Sequence, residues 1–221
     1  MKKENNNNII WTIGITALIM LAIFGLVKGV YQKTTEKQES KATATASDDM
    51  AGHHGGSSQS TPPASALGDL MGKPMPDFSL TDINGKEYTM KDLSGKKVVM
   101  FFNEGLMCYP ACWNQIAALA KDERLKNDDT VVLSVVVDPA KDWQRAIDKM
   151  PELGLALVGF DKNAALAGKL GLLTMPSSMH YGSLPGHTYL IIDKQGIIKH
   201  VFDDPNMALH NEQLVAELVK L

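Results

Sequence analysis

The sequence predicts an α/β layered domain of about 150 residues behind a long N-terminal extension. Three observations carry that prediction. Apolar runs of strand length (KKVVMFF, TVVLSVVVD, HTYLIID) alternate with segments of helical spacing such as KDWQRAIDKM and NEQLVAELVKL. Two of the runs, KKVVMFF and TVVLSVVVD, are continuously apolar, as in strands covered on both faces of a sheet. A separate uncharged stretch near the N-terminus stands outside this alternation.

Residues 1–8 form a short polar tail. IIWTIGITALIMLAIFGLV, Ile9 to Val27, then runs for 19 residues without a charge. At about 1.5 Å per residue it nearly crosses a hydrocarbon core of roughly 30 Å. Trp11 and Tyr31 stand at its two ends, where membrane interfaces favour aromatic rings. The run is longer than the apolar core of a signal peptide, and Lys28, Gly29, Val30 and Tyr31 follow it instead of a small-residue cleavage site. Residues 9–30 are therefore expected to be an uncleaved transmembrane anchor. Lys2 and Lys3 favour an inside N-terminus, an asymmetry partly offset by Lys28 and Lys33.

Residues 31–69 are small and polar, with few apolar side chains to offset the entropy of ordering, and read as a flexible linker. Met50, His53 and His54 beside Asp48 and Asp49 supply soft and imidazole ligands for a weak copper or zinc tail. The surrounding composition favours solvated linker residues instead.

Residues 70–221 make the folded domain. FSLTDINGKEYTM alternates around Asn84-Gly85 and predicts a hairpin of two short strands. KKVVMFF is a central strand. Cys108 to Ala120 follows helical spacing, with Trp113, Ile116, Ala117 and Leu119 as its apolar stripe. TVVLSVVVD, KDWQRAIDKM, ALVGF and NAALAGKLG continue as strand, helix, strand, helix. HTYLIID and GIIKHVF pair through a turn at Asp193–Gly196, and NEQLVAELVKL closes the chain as an amphipathic helix.

Charge narrows the function classes. With 22 Lys+Arg against 25 Asp+Glu and no basic stripe, the chain is not a nucleic-acid binder. Its two arginines, Arg124 and Arg145, leave little for bidentate anion clamps. Both cysteines lie in GLMCYPACWNQ, where an apolar run turns into a helix. A thiol at a helix start meets unpaired N–H groups and the positive end of the helix dipole, which lower its pKa and favour the thiolate. Pro110 is tolerated in that first turn. Cys112, one turn on, shares a face with Cys108 and is placed to resolve a mixed disulfide or sulfenic acid there. The competing expectation is a pair of small buried hydrophobes.

The order PDFSLTDINGKEYTMKDLSGKKVVMFF, a cysteine at the strand-to-helix junction, SVVVDPAKDW and HTYLIIDKQGIIKHVF resembles the alkyl hydroperoxide reductase/thiol-specific antioxidant (peroxiredoxin-like) branch of the thioredoxin fold, over residues 71–221. The resemblance implies a central mixed sheet flanked by helices. It also implies a thiol oxidoreductase in which Cys108 attacks and Cys112 resolves, without a cofactor. The partners implied are a thiol/disulfide electron donor and a peroxide or protein-disulfide substrate. By analogy with exported redox modules, the domain is expected on the outer face of a cell membrane.

The resemblance is incomplete at the site. Where typical peroxiredoxins carry a Thr or Ser three residues before the attacking cysteine and a Pro seven before it, this chain has Gly105 and Phe101. No Arg enters the last strand pair. Peroxide reduction is therefore expected to be slow. Thioredoxin-like reductases place a cis-proline opposite a C-x2-C pair; the position here, just before Thr188, is His187. An imidazole facing Cys108 would favour its thiolate or move protons. Sco-type copper proteins share the fold and use C-x3-C with a distant His, so Cys108, Cys112 and His187 also read as a copper(I) set. Thr174–Gly186 is a long loop in which Met175, Met179 and His180 either extend such a site, line a partner-binding rim or simply pack. Pro176 and Pro185 are candidates for a cis bond. Glu104 is left as either a proton relay or an exposed acid.

Overall fold

The computed structural model describes residues 65–221. The expected anchor over 9–30 and the Met50, His53 and His54 group lie outside these residues, as does most of the linker. The first described element, helix α1 (Ser65–Gly68), falls inside the stretch read as linker.

Seven strands form one sheet in the order β2-β1-β5-β4-β3-β6-β7. The Asn84-Gly85 hairpin is there: β1 (Leu80–Thr81) pairs antiparallel with β2 (Glu87–Tyr88). Asp82 Oδ1 accepts from the backbone N–H of Asn84 and Lys86 and closes the turn. KKVVMFF supplies β3 (Lys97–Phe102), which lies parallel to β4 (Thr130–Val136) on one side. On its other side it runs antiparallel to β6 (Thr188–Ile192). β5 (Val158–Phe160) extends the parallel part, and β7 (Ile198–Asp203) is the far edge. The sheet is mixed and its central strands are buried throughout, which is why those runs carry no polar alternation.

The period of two sorts each strand's side chains between two cores. Val98, Met100 and Phe102 of β3, with Leu190 and Ile192 of β6, face a layer containing α4 (Ala165–Lys169). Val99 and Phe101, with Tyr189 and Ile191, face the opposite layer of α2 (Ala111–Lys121), α3 (Ala140–Lys149) and α5 (Asn211–Leu218). Both cysteines belong to this second core.

The expected helix begins later than its spacing suggests. Cys108 N–H donates to the Gly105 carbonyl in a 3-10 turn, Gly105–Met107, and α2 starts only at Ala111. The cis peptide bond is Tyr109–Pro110, and not at Pro176 or Pro185.

Candidate active site

The site forms where β3 ends. Asn103, fully buried, turns the chain by donating from Nδ2 to the Phe101 carbonyl and accepting at Oδ1 from Gly105 N–H. Gly105 takes a left-handed φ of +56°. Its bare Cα lets the Asp138 carboxylate approach and accept from Leu106 N–H at 3.1 Å. Burial pushes the Asp138 carboxyl up from its ordinary range. Trp113 in α2 donates its indole N–H back to the Gly105 carbonyl at 3.0 Å.

This turn sets Cys108 three residues ahead of α2 and Cys112 in its first turn, and the two are joined as a disulfide. Cys112 N–H donates to the Cys108 carbonyl at 3.0 Å, so the pair straddles the helix start as the spacing predicts. Both sulfur-bearing residues are covered, at 2 % and 1 % exposure.

His187 enters from just before β6. Its backbone N–H donates to Ser177 Oγ at 2.6 Å, and Ser177 and Thr188 both hydrogen-bond Asp203. Gly186 permits this crossing, because a Cβ there would sit 2.0 Å from Ser177 Oγ and 2.7 Å from Ser178 N. The imidazole faces Cys112 rather than Cys108, with Nδ1 3.6 Å from Cys112 Sγ. Cys108 Sγ instead meets Met207 Sδ at 3.8 Å. The expectation of an imidazole opposite Cys108 is thus corrected. Cys112 sits on the first turn of α2, where β6 reaches it, whereas Cys108 lies outside that turn against the loop after β7.

Tyr189, two residues along β6 on the same face, places its hydroxyl 2.7 Å from His187 Nε2. That nitrogen is its one hydrogen-bond partner among the described residues, and burial pushes the phenol well above its ordinary pKa, so the O–H stays intact as a donor. With Nε2 accepting, the ring proton sits on Nδ1 and points at Cys112 Sγ. Burial lowers the His187 pKa to about 4, against the opposing pull of Asp204 and a backbone hydrogen bond to Ala208. The ring is neutral at neutral pH.

A stability signature follows. His187 titrates near 4 when folded and near its ordinary 6.5 when unfolded, so between these values only the unfolded chain takes up the proton. Its contribution is complete above pH 6.5 and is lost as pH falls toward 4. The full loss is about 3 kcal/mol at 1.36 kcal/mol per pKa unit. Urea unfolding of His187→Gln and the parent at pH 4.5 and 7 should show a smaller difference between the two pH values in the variant.

Glu104 is neither exposed nor at the sulfurs. Buried to 2 %, it accepts from Met179 N–H, His180 N–H and Ser178 Oγ, and its Oε2 meets His180 Nδ1 at 3.0 Å. It fastens the Thr174–Gly186 loop to the turn that carries Cys108. His180 is spent on that contact, Met179 is exposed, and Met175 is buried in the opposite core, so the described geometry brings none of the three to the sulfurs. Met207 and Tyr189 are the residues that sequence reasoning missed. Tyr189 carried a signal, the i, i+2 relation to His187 within a strand. Met207, 99 positions from Cys108, carried none.

The AhpC/TSA family model matches residues 71–201. A chloroplastic peroxiredoxin Q of Triticum aestivum is 27% identical over 152 residues, 66% of this chain and 63% of that protein. Peroxiredoxin Bcp of Escherichia coli is 28% identical over 145 residues, 62% of this chain and 87% of its own length. The chain thus spans under two thirds of the wheat protein. Among solved structures, Enterococcus faecalis AhpC superposes with a TM-score of 0.59 at 20% identity, covering 68% of this chain and 91% of that one. A peroxiredoxin-like protein from Aquifex aeolicus gives 0.57 at 15%, covering 68% and 86%. These structural likenesses speak for the thioredoxin-like fold. With the family model covering more than half of its length, this chain belongs to the AhpC/TSA family and is a peroxiredoxin-like protein of the thioredoxin fold.

Proposed function

We propose that the domain is a thiol-dependent oxidoreductase that cycles Cys108 and Cys112 between dithiol and disulfide. The observation that carries this reading is the bonded pair straddling the start of α2, with a neutral imidazole against one sulfur. The peroxiredoxin names of the relatives support it and favour it over a Sco-type copper carrier.

Each step balances. A Cys108 thiolate attacks a peroxide oxygen, breaking the O–O bond and leaving a sulfenic acid and an alkoxide that takes up a proton. The Cys112 thiol then attacks the sulfenic sulfur, forming the disulfide and releasing water. A donor thiolate attacks Cys108 Sγ, and Cys112 leaves as a thiolate facing His187 Nδ1–H. A second donor thiol releases the first, completing a two-electron reduction. A disulfide substrate enters by the same exchange run in reverse.

The setting favours disulfide exchange over fast peroxide reduction. Arg124 is paired with Asp122 and Glu212, and Arg145 with Asp142, so neither guanidinium is positioned at the sulfurs. A hydroxyl-bearing side chain at Gly105 would collide with Asp138. Lacking both groups, peroxide reduction is expected to run on the order of a hundredfold below that of a relative that has them. The test is a thiol count on the reduced full-length chain before and after one equivalent of hydrogen peroxide or oxidised glutathione. Two thiols should disappear together; oxidant consumed with both thiols still alkylatable would refute the reading. We carry the anchor over 9–30 as part of it, motivated by the 19 uncharged residues. Resistance of the full chain to alkaline carbonate extraction, and its loss in a chain starting at Leu70, tests that part.

A further inference from the structure

The loop after β7 brings a donor to the site that the redox cycle does not use. Met207 holds a left-handed φ of +52°, a conformation costing a non-glycine residue about 1 kcal/mol or more. Asp204 enforces it: its carbonyl accepts from Met207 N–H, and its carboxylate accepts from Asn206 N–H, Ala208 N–H and His210 Nε2. Burial pushes the Asp204 carboxyl up, but these hydrogen bonds prevail and hold it below its ordinary value. The result points the Met207 thioether at Cys108 Sγ, 3.8 Å away. One ligand atom each from Cys108, Cys112 and His187 lie within 4.8 Å of one another, all three residues buried.

We propose that, once the disulfide is opened, Cys108, Cys112, His187 and Met207 form a binding site for copper(I). This rests on the redox reading to the extent that the pair must be reducible. The donor chemistry selects the cation: two thiolates, a thioether and one imidazole are soft ligands suited to copper(I), whereas zinc(II) is held by thiolate, imidazole and carboxylate. Buried surroundings suit the net charge of −1 that two thiolates and one monovalent cation leave, where a divalent cation would need no thioether. Coordination through Nδ1 moves the ring proton to Nε2, where the Tyr189 hydroxyl is placed to accept it and fix the ring. The disulfide makes the site conditional. Opening it requires two electrons and two protons from a thiol donor, and copper(I) then displaces the thiol protons. Oxidised protein has no thiolates to offer. The thioether lies outside the Cys108, Cys112 and His187 set, and it is what makes the proposal separable from simple dithiol capture.

The experiment titrates anaerobic, reduced full-length protein with copper(I) against a coloured chelator, with thiols counted first. One copper(I) per chain is expected, with none taken up by the oxidised form. Copper K-edge absorption should count three sulfurs and one nitrogen. Met207→Leu keeps the apolar volume, so the disulfide should open and close as in the parent. Its copper affinity should fall at least about tenfold and one sulfur should vanish from the spectrum. If the pair does not open to two thiols, the redox reading and the metal site fall together. If it opens and the chain takes up no copper(I), or Met207→Leu binds with unchanged affinity and sulfur count, the metal site alone is overturned.

Discussion

Cys112→Ser is expected to abolish turnover with thiol donors and to accumulate a mixed disulfide on Cys108, whereas Cys108→Ser should abolish turnover without a trapped adduct. The asymmetry follows from placement. Attack on Cys108 expels Cys112 toward His187 Nδ1–H, 3.6 Å away, where the thiolate has a hydrogen-bond donor to receive it. Attack on Cys112 would expel Cys108 toward the Met207 thioether, which donates nothing. Leaving-group stabilisation governs thiol–disulfide exchange, so the first route dominates. Intact-mass spectra of each variant after incubation with oxidised glutathione would show one glutathione adduct on Cys112→Ser and little on Cys108→Ser. The reverse pattern would exchange the roles of the two sulfurs.

Gly105→Ala is expected to destabilise the domain by about 2–4 kcal/mol. A left-handed φ costs an alanine roughly 1–2 kcal/mol, and loss of the buried hydrogen bond from Leu106 N–H to Asp138 adds a comparable amount. The added Cβ would stand 1.7 Å from Asp138 Oδ2 and 3.2 Å from Val136 Cβ, so the carboxylate must swing away. Chemical denaturation of the single variants and of Gly105→Ala/Asp138→Ala separates the contributions. The double variant should recover the steric part and keep the φ part, giving a coupling energy of about 1–2 kcal/mol. Additive losses would mean that the collision is relieved elsewhere.

The strands were legible in the sequence because burial on both faces leaves an uninterrupted apolar run, and KKVVMFF sits at the centre of the sheet for that reason. Asn84-Gly85 announced its hairpin through turn chemistry alone. The cysteine pair was legible from spacing and position, and His187 from its place at the start of a strand. The start of α2 was not. Cys108 has helical spacing to Trp113 and Ile116, but its N–H is taken by the Gly105 carbonyl, and that choice depends on a left-handed glycine held against Asp138, 33 residues away in sequence. Glu104 was misjudged as possibly exposed because its partners, Met179 and His180 N–H, are backbone groups in a distant loop and leave no compositional trace. Long-range contacts between irregular segments set the details of the site, and periodicity does not report on them.

Phe101, Tyr189 and Phe202 stack across three adjacent strands, with ring centroids 4.6 Å apart in both contacts and interplanar angles of 15° and 16°. Register fixes the arrangement, since Phe101 lies opposite Tyr189 and Tyr189 opposite Phe202. A displaced ring at Phe202 therefore displaces Tyr189 laterally, and with it the hydroxyl that decides which imidazole nitrogen carries the proton. The outermost strand, which touches neither sulfur through this column, thereby holds a vote on tautomer: the fidelity of edge pairing in β7 becomes a determinant of how readily Cys112 is received as an anion.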